Sequence, residues 1–315
     1  MIGYIVRRLF QSVVVVIGVT IIVFVLIHFL PGGTARATLG ARATKAEIHA
    51  FMVANGYNHP IPVQYLLYLK RLLSGNLGFS YHYNESVVSL LTTNVPKTAV
   101  LVGLAYAASL VVSIPLGIYQ AVKRNSVGDY AVTAFAFVGY AMPTFWAGML
   151  LILGFSIYWP VLPSEAPQGA TVGAILSQPS GLVLPVATLA IVNFAMFSRF
   201  MRSSAIENLV QDYIRTARAK GLKWWWVLYR HLLPNSLGPI ISLIGLSLPV
   251  VLSGAVVAEA VFNFPGMGLL FWNAALKQDY PLMMGFTVVV SVATVLGSLF
   301  ADICYAIIDP RVRFD

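Results

Sequence analysis

Six stretches of this chain run without a single Asp, Glu, Lys or Arg: residues 9–30, 99–122, 130–159, 182–198, 237–258 and 280–301. A helix rises about 1.5 Å per residue, so roughly 20 residues of this kind cross the ~30 Å hydrocarbon layer of a bilayer. Continuous apolar runs lack the alternating polar positions that a barrel strand turns toward its lumen, so each stretch is predicted to hold one transmembrane helix. Composition points the same way, because 58% hydrophobic and only 10% charged residues, with a mean hydropathy of +0.81, exclude an ordinary water-soluble globule. The expected fold is an all-α membrane protein with six spans.

Orientation follows from the basic residues. With the N-terminus on the inside, the inner ends hold Arg7, Arg8, Lys123, Arg124, Arg199, Arg202, Arg215, Arg218, Lys220, Lys223, Arg230, Arg311 and Arg313. The outside holds Arg36, Arg42, Lys45, Lys70, Arg71, Lys97 and Lys277, most of them in one long loop that counts for little in the charge rule. Both termini are therefore expected in the cytoplasm. Residues 9–30 are too long for a typical signal-peptide core and lack a small-x-small cleavage site, so an uncleaved helix is expected.

The net charge of +9 does not imply nucleic acid, because the cations cluster at span ends rather than on one soluble face. Anionic lipid and topology account for them. The lone cysteine, Cys304, has no intramolecular partner for a disulfide or a thiolate metal site and reads as a small apolar residue. No G-x4-G-K-[ST] loop is present to cradle nucleotide phosphates. His28, His49, His59, His82 and His231 have no metal-ligand spacing, and no G-x-S-x-G elbow supports a nucleophilic serine. Neither an enzyme nor a bound cofactor is expected.

Residues 31–96 form the one sizeable segment outside the spans. Thr44-Lys45-Ala46-Glu47 has capping-box spacing and predicts a helix to Val53 or Ala54, before Asn55-Gly56. After Pro60-Ile61-Pro62, residues 63–73 read as an amphipathic helix with Tyr65, Leu66, Leu69, Leu72 and Leu73 on its apolar side, followed by a turn at Gly75-Asn76-Leu77-Gly78. The chain thus divides into residues 1–30, the outer segment 31–96 and a five-helix core 97–315 that carries an inner loop at 202–234.

Within that loop, residues 213–234 combine basic residues with helical spacing: Ala217 precedes Gly221 by one turn, and Leu233-Pro234 follow about three turns later. Gly221 suits a helix end and Pro234 prevents helical continuation into the next span. Ala217, Gly221, Leu233 and Pro234 match the ATPase-docking loop of ABC-transporter permeases, E-A-A-x3-G-x9-I-x-L-P, whereas Arg215, Thr216 and His231 depart from it. The form R-T-A-R-A-K-G-L resembles the dipeptide/oligopeptide branch of binding-protein-dependent importers, the B-type permeases with a long first outer loop. P-I-P-V-Q-Y and G-N-L-G-F-S in the outer segment, Met142-Pro143-Thr144-Phe145, residues 253–268, Asp279-Tyr280-Pro281 and Asp309-Pro310-Arg311 extend the resemblance along almost the whole chain.

The resemblance implies a type I ABC importer permease, half of a translocation pore for short peptides. Its implied partners are a second homologous permease, two ATPase subunits or one fused ATPase holding ATP and magnesium, an extracytoplasmic binding protein and membrane lipid. Arg215, Thr216, Ala217, Arg218, Ala219, Lys220, Gly221, Leu222 and Trp225 become the ATPase-coupling residues. Trp224, Trp225 and Trp226 serve either as docking anchors or as an interfacial belt. Polar groups inside spans mark Asn193, Ser253 and Glu259 as substrate-path residues, and Asp302 as a partner for Arg311. Alternatives are nickel-chelate or glutathione import, or an ATP-independent secondary transporter. The last predicts an internal repeat and a central charge pair, neither of which is evident.

Overall fold

The computed structural model describes residues 2–29, 35–36, 39–40, 43–54, 56–247 and 255–308. It is almost entirely helical. Helix α1 (Ile2–His28) is followed by α2 (Lys45–Ala54) and α3 (Ile61–Leu73). A two-residue hairpin, β1 (Phe79–Ser80) antiparallel to β2 (Glu85–Ser86), leads into α4 (Val87–Val122). Then come α5 (Val127–Ala141), α6 (Thr144–Ile152), the short α7 (Val172–Leu176) and α8 (Ser180–Leu209). The remainder is α9 (Asp212–Ala219), α10 (Trp224–Val227), α11 (Leu233–Ser236), α12 (Gly238–Leu246), α13 (Val256–Val261), α14 (Met267–Leu276) and α15 (Tyr280–Ile308).

Among the described residues, four helices are long and apolar enough to cross a membrane: Arg7–Leu26, Val87–Val122, Ser180–Leu209 and Tyr280–Leu299. The third expected span differs from a straight helix. It consists of α5 and a second helix over Thr144–Tyr158, whose last turns are π-wound, and the two meet at 104°. Pro143 explains the break, because it disfavours helical geometry at the preceding residue, and Met142 accordingly sits at φ −76, ψ 124. Counting this bent pair as one span gives five. The fifth expected span, residues 237–258, includes α12 and the start of α13, but residues 248–254 between them lie outside the described residues.

The core is a seam between α4 and α8. On α4, Ala105, Ser109, Ser113, Gly117 and Ala121 recur every fourth residue and are all buried, which makes a smooth groove along one helix face. Met201 and Ser198 of α8 fill it so closely that a Cβ on Gly117 would lie 2.7 Å from the Met201 Cβ. Phe197, Met201 and Ile240 extend this core toward α12.

The outer segment begins as expected. Thr44 and Glu47 bond reciprocally, with Thr44 N donating to Glu47 Oε2 (2.8 Å) and Glu47 N to Thr44 Oγ1 (3.3 Å), and α2 runs to Ala54. These bonds to Thr44 hold the exposed Glu47 carboxyl below its ordinary range. The face of α3 corrects the sequence expectation: Gln64 is buried, whereas Leu66 and Leu73 point outward. Helix α4 also starts at Val87, ahead of the apolar stretch at 99, because Ser86 accepts a capping bond from Ser89 N. Asp279 ties the hairpin to α15 by accepting from Ser80 Oγ and, at 3.3 Å, from Leu282 N.

Candidate functional site

The basic segment predicted to couple is an eight-residue helix, α9, with two distinct faces. Ile214 and Ala217 face inward and pack with Ala121 of α4, Ala205 of α8, Val227 and Leu232. Arg215, Thr216, Arg218, Ala219, Lys220, Gly221 and Leu222 are exposed. Ala217 is thus the residue that seats the helix on the spans, while its neighbours form the surface. The helix ends in a Schellman arrangement, with Leu222 N reaching Ala217 O at 3.4 Å and Gly221 N reaching Arg218 O at 2.9 Å. Gly221 holds φ +75 in open space, so backbone conformation rather than crowding selects glycine there.

The three tryptophans divide. Trp224 turns into the cluster beneath α9, and the Arg218 guanidinium lies 4.0 Å above its ring centroid. Trp225 and Trp226 are exposed and contact each other edge to face at 5.1 Å. Asn208 braces the segment by accepting a bond from the Tyr213 hydroxyl while its amide nitrogen donates to Ser204 O at 2.9 Å. Partial burial raises the Tyr213 phenol above its ordinary range.

A charged junction beside this segment was not anticipated from the sequence. Arg202 Nε donates to Asp129 Oδ1 at 2.9 Å and Nη2 to Oδ2 at 2.8 Å, a bidentate pair that joins α8 to α5. Asp129 also accepts from Asn125 N (3.0 Å) and Gln120 Nε2 (3.2 Å), so the end of α4 and the turn after it share the same carboxylate. The spacing Ser126-x-x-Asp129 carries a capping signal for the start of α5, and Asp129 N does donate to Ser126 Oγ. Nothing local links Asp129 to an arginine 73 residues away.

The substrate-path residues part company. Asn193 lines a cleft of about 390 Å³ whose wall also includes Tyr106 of α4, Thr144 at the bend, Leu189 of α8 and Val256 of α13. Its amide nitrogen donates to Leu189 O at 2.9 Å. Apart from Tyr106, Thr144 and Asn193 the wall is apolar. Ser253 and Arg311 lie outside the described residues, as does the side chain of Asp302. Glu259 is fully buried and is spoken for on both oxygens: Oε1 accepts from Thr98 Oγ1 (2.9 Å) and Ala255 N (3.2 Å), Oε2 from Gly268 N (2.7 Å) and Leu269 N (3.1 Å). It caps the start of α14, where a carboxylate satisfies free backbone N–H groups and the helix dipole.

Comparison with known proteins decides what this geometry belongs to. A family model described as the binding-protein-dependent transport system inner membrane component matches residues 113–314, and the N-terminal model of the same membrane components matches residues 1–102. The chain belongs to this family. It is therefore a multi-pass membrane component of a transport system, and the all-helical architecture is that of a permease. The chain is 37% identical to the oligopeptide transport system permease protein AppB of Bacillus subtilis, over 100% of both chains. It is 35% identical to the oligopeptide transport system permease protein OppB of Haemophilus influenzae over 100% of each, and 32% identical to the dipeptide transport system permease protein DppB of Escherichia coli over 99% of each.

Proposed function

We propose that the chain is the permease subunit of an ATP-driven importer of short peptides and forms half of the translocation pore. The observation that carries this reading is the likeness, end to end, to permeases of oligopeptide and dipeptide transport systems. In this reading six spans cross the membrane with both termini in the cytoplasm. A second homologous permease completes the pore, an extracytoplasmic binding protein delivers substrate, and two ATPases or one fused ATPase hold ATP and magnesium.

Helix α9 is then the coupling element. Arg215, Thr216, Lys220, Leu222 and Trp225 present a basic and aromatic surface of the sort that seats in a partner's groove. Ile214 and Ala217 fasten the same helix to α4 and α8, so displacement by the ATPase would carry both spans as a rigid body. The cleft beside Asn193 lies between those spans and the bend at Thr144, where such a displacement alters its width.

The test is uptake of a labelled short peptide by vesicles containing the co-expressed complex, with and without ATP, comparing the wild-type chain with Arg215→Glu/Lys220→Glu. Both positions are exposed, so folding is not at stake. ATP-dependent uptake that the double variant loses, while the subunits remain inserted, is the expected result. Uptake that needs no ATPase would sink the coupling assignment; hydrolysis without entry of any peptide would sink the substrate class.

A further inference from the structure

Helix α3 is built inside out. At 3.6 residues per turn, Pro62, Leu66, Leu69 and Leu73 share one face, and Gln64, Tyr68 and Arg71 share the opposite one. The polar face turns inward. Gln64 Nε2 donates to Tyr57 O (3.0 Å) and His59 O (2.7 Å), and its Oε1 lies 3.0 Å from His28 Nε2 at the end of α1. Tyr65 Oη is 2.9 Å from Thr20 Oγ1, and the Tyr65 and Tyr68 rings pack on Phe24 at 5.3 and 5.9 Å. The leucine face turns outward, with Leu66 63% and Leu73 89% exposed and Val63 exposed beside them.

In water this arrangement is the wrong way round, since each leucine left outside forgoes the gain from burial while the amide of Gln64 is desolvated. Hydrocarbon reverses that balance, because there a polar group needs an internal partner and an apolar one needs none. The depth of the helix is fixed by its contacts. Thr20 lies within the apolar span Arg7–Leu26, so a helix whose tyrosine bonds to it runs alongside the span rather than above it. The flank of α1 at that depth, Ile21, Ile22, Val25 and Leu26, is exposed and apolar as well.

We propose that α3 lies in the bilayer, with Leu66 and Leu73 embedded among acyl chains of the leaflet that holds the His28 end of α1. Lys70 flanks the leucine face, where its long stem lets the ammonium reach lipid phosphates. Anchored this way, α3 braces α1, which otherwise packs on α15, and holds the outer segment at a set height over the membrane.

The test is spin-label accessibility in the assembled complex, reconstituted in phosphatidylethanolamine/phosphatidylglycerol vesicles. Cys304→Ser removes the native thiol, and labels are placed through Leu66→Cys, Leu73→Cys and, as an aqueous control on the hairpin, His82→Cys. Collision with oxygen is expected to exceed collision with a water-soluble nickel chelate at 66 and 73, and the order to reverse at 82. Nickel exceeding oxygen at 66 and 73 would place the face in water. Low access to both reagents would mean that protein covers it. Either result overturns the proposal.

Discussion

Glu259 shows how far one residue's chemistry depends on what its oxygens already hold. Its four accepted bonds include two from the backbone at the start of α14, and Thr98 Oγ1 in turn accepts from Met267 N at 2.8 Å. Gly266 and Gly268 make room: a Cβ on Gly268 would lie 2.5 Å from Val256 Cα, and one on Gly266 would run into the Glu259 carboxylate. Glu259→Gln puts an NH2 where two donors already point, which costs about 1–3 kcal/mol for each donor left unmet. The unfolding midpoint of the solubilised complex should fall, while uptake per assembled complex keeps its dependence on substrate concentration. An unchanged midpoint with a shifted concentration dependence would move Glu259 into the path instead.

At the scale of the element, the α4–α8 seam depends on small side chains at every fourth position. Gly117→Val should destabilise the fold by about 1–3 kcal/mol through overpacking, and Met201→Ala in the same chain should recover part of that loss by removing the Cγ that lies 2.9 Å from the added Cβ. Thermal melts of the two single variants and the double check this; losses that simply add would mean that the two helices do not press on each other there. Helix existence was legible because charge-free runs report membrane burial directly, and the Thr44–Glu47 box set the start of α2 because capping is local. The tilt at Met142-Pro143 was less legible, since a proline permits a bend without stating its angle. The face of α3 misled for a different reason. An amphipathic pattern tells which residues share a side, but whether that side meets protein or lipid depends on the solvent around it, which spacing alone does not encode.

Across the whole molecule, three helices meet at one carboxylate. Asp129 is almost fully buried and Arg202 half-shielded, so removing the arginine alone leaves a desolvated charge that, among the described residues, Gln120 and the Asn125 amide remain to answer. Arg202→Gln is therefore expected to cost about 3 kcal/mol or more, because breaking a buried pair strands its remaining member. Asp129→Asn combined with Arg202→Gln strands no charge and should recover much of that stability, since the neutral side chains can still hydrogen-bond. The consequence for transport differs from the consequence for folding. Helix α9, proposed above as the coupling element, is packed on α4 and α8, whereas α5 leads to the bend beside the cleft, and the ion pair is a charged link between the two groups. The double variant should consequently assemble and hydrolyse ATP but import less peptide per ATP consumed. Measuring uptake and hydrolysis in the same vesicles checks this, and an unchanged ratio in a complex of restored stability would make the pair a structural fastening alone.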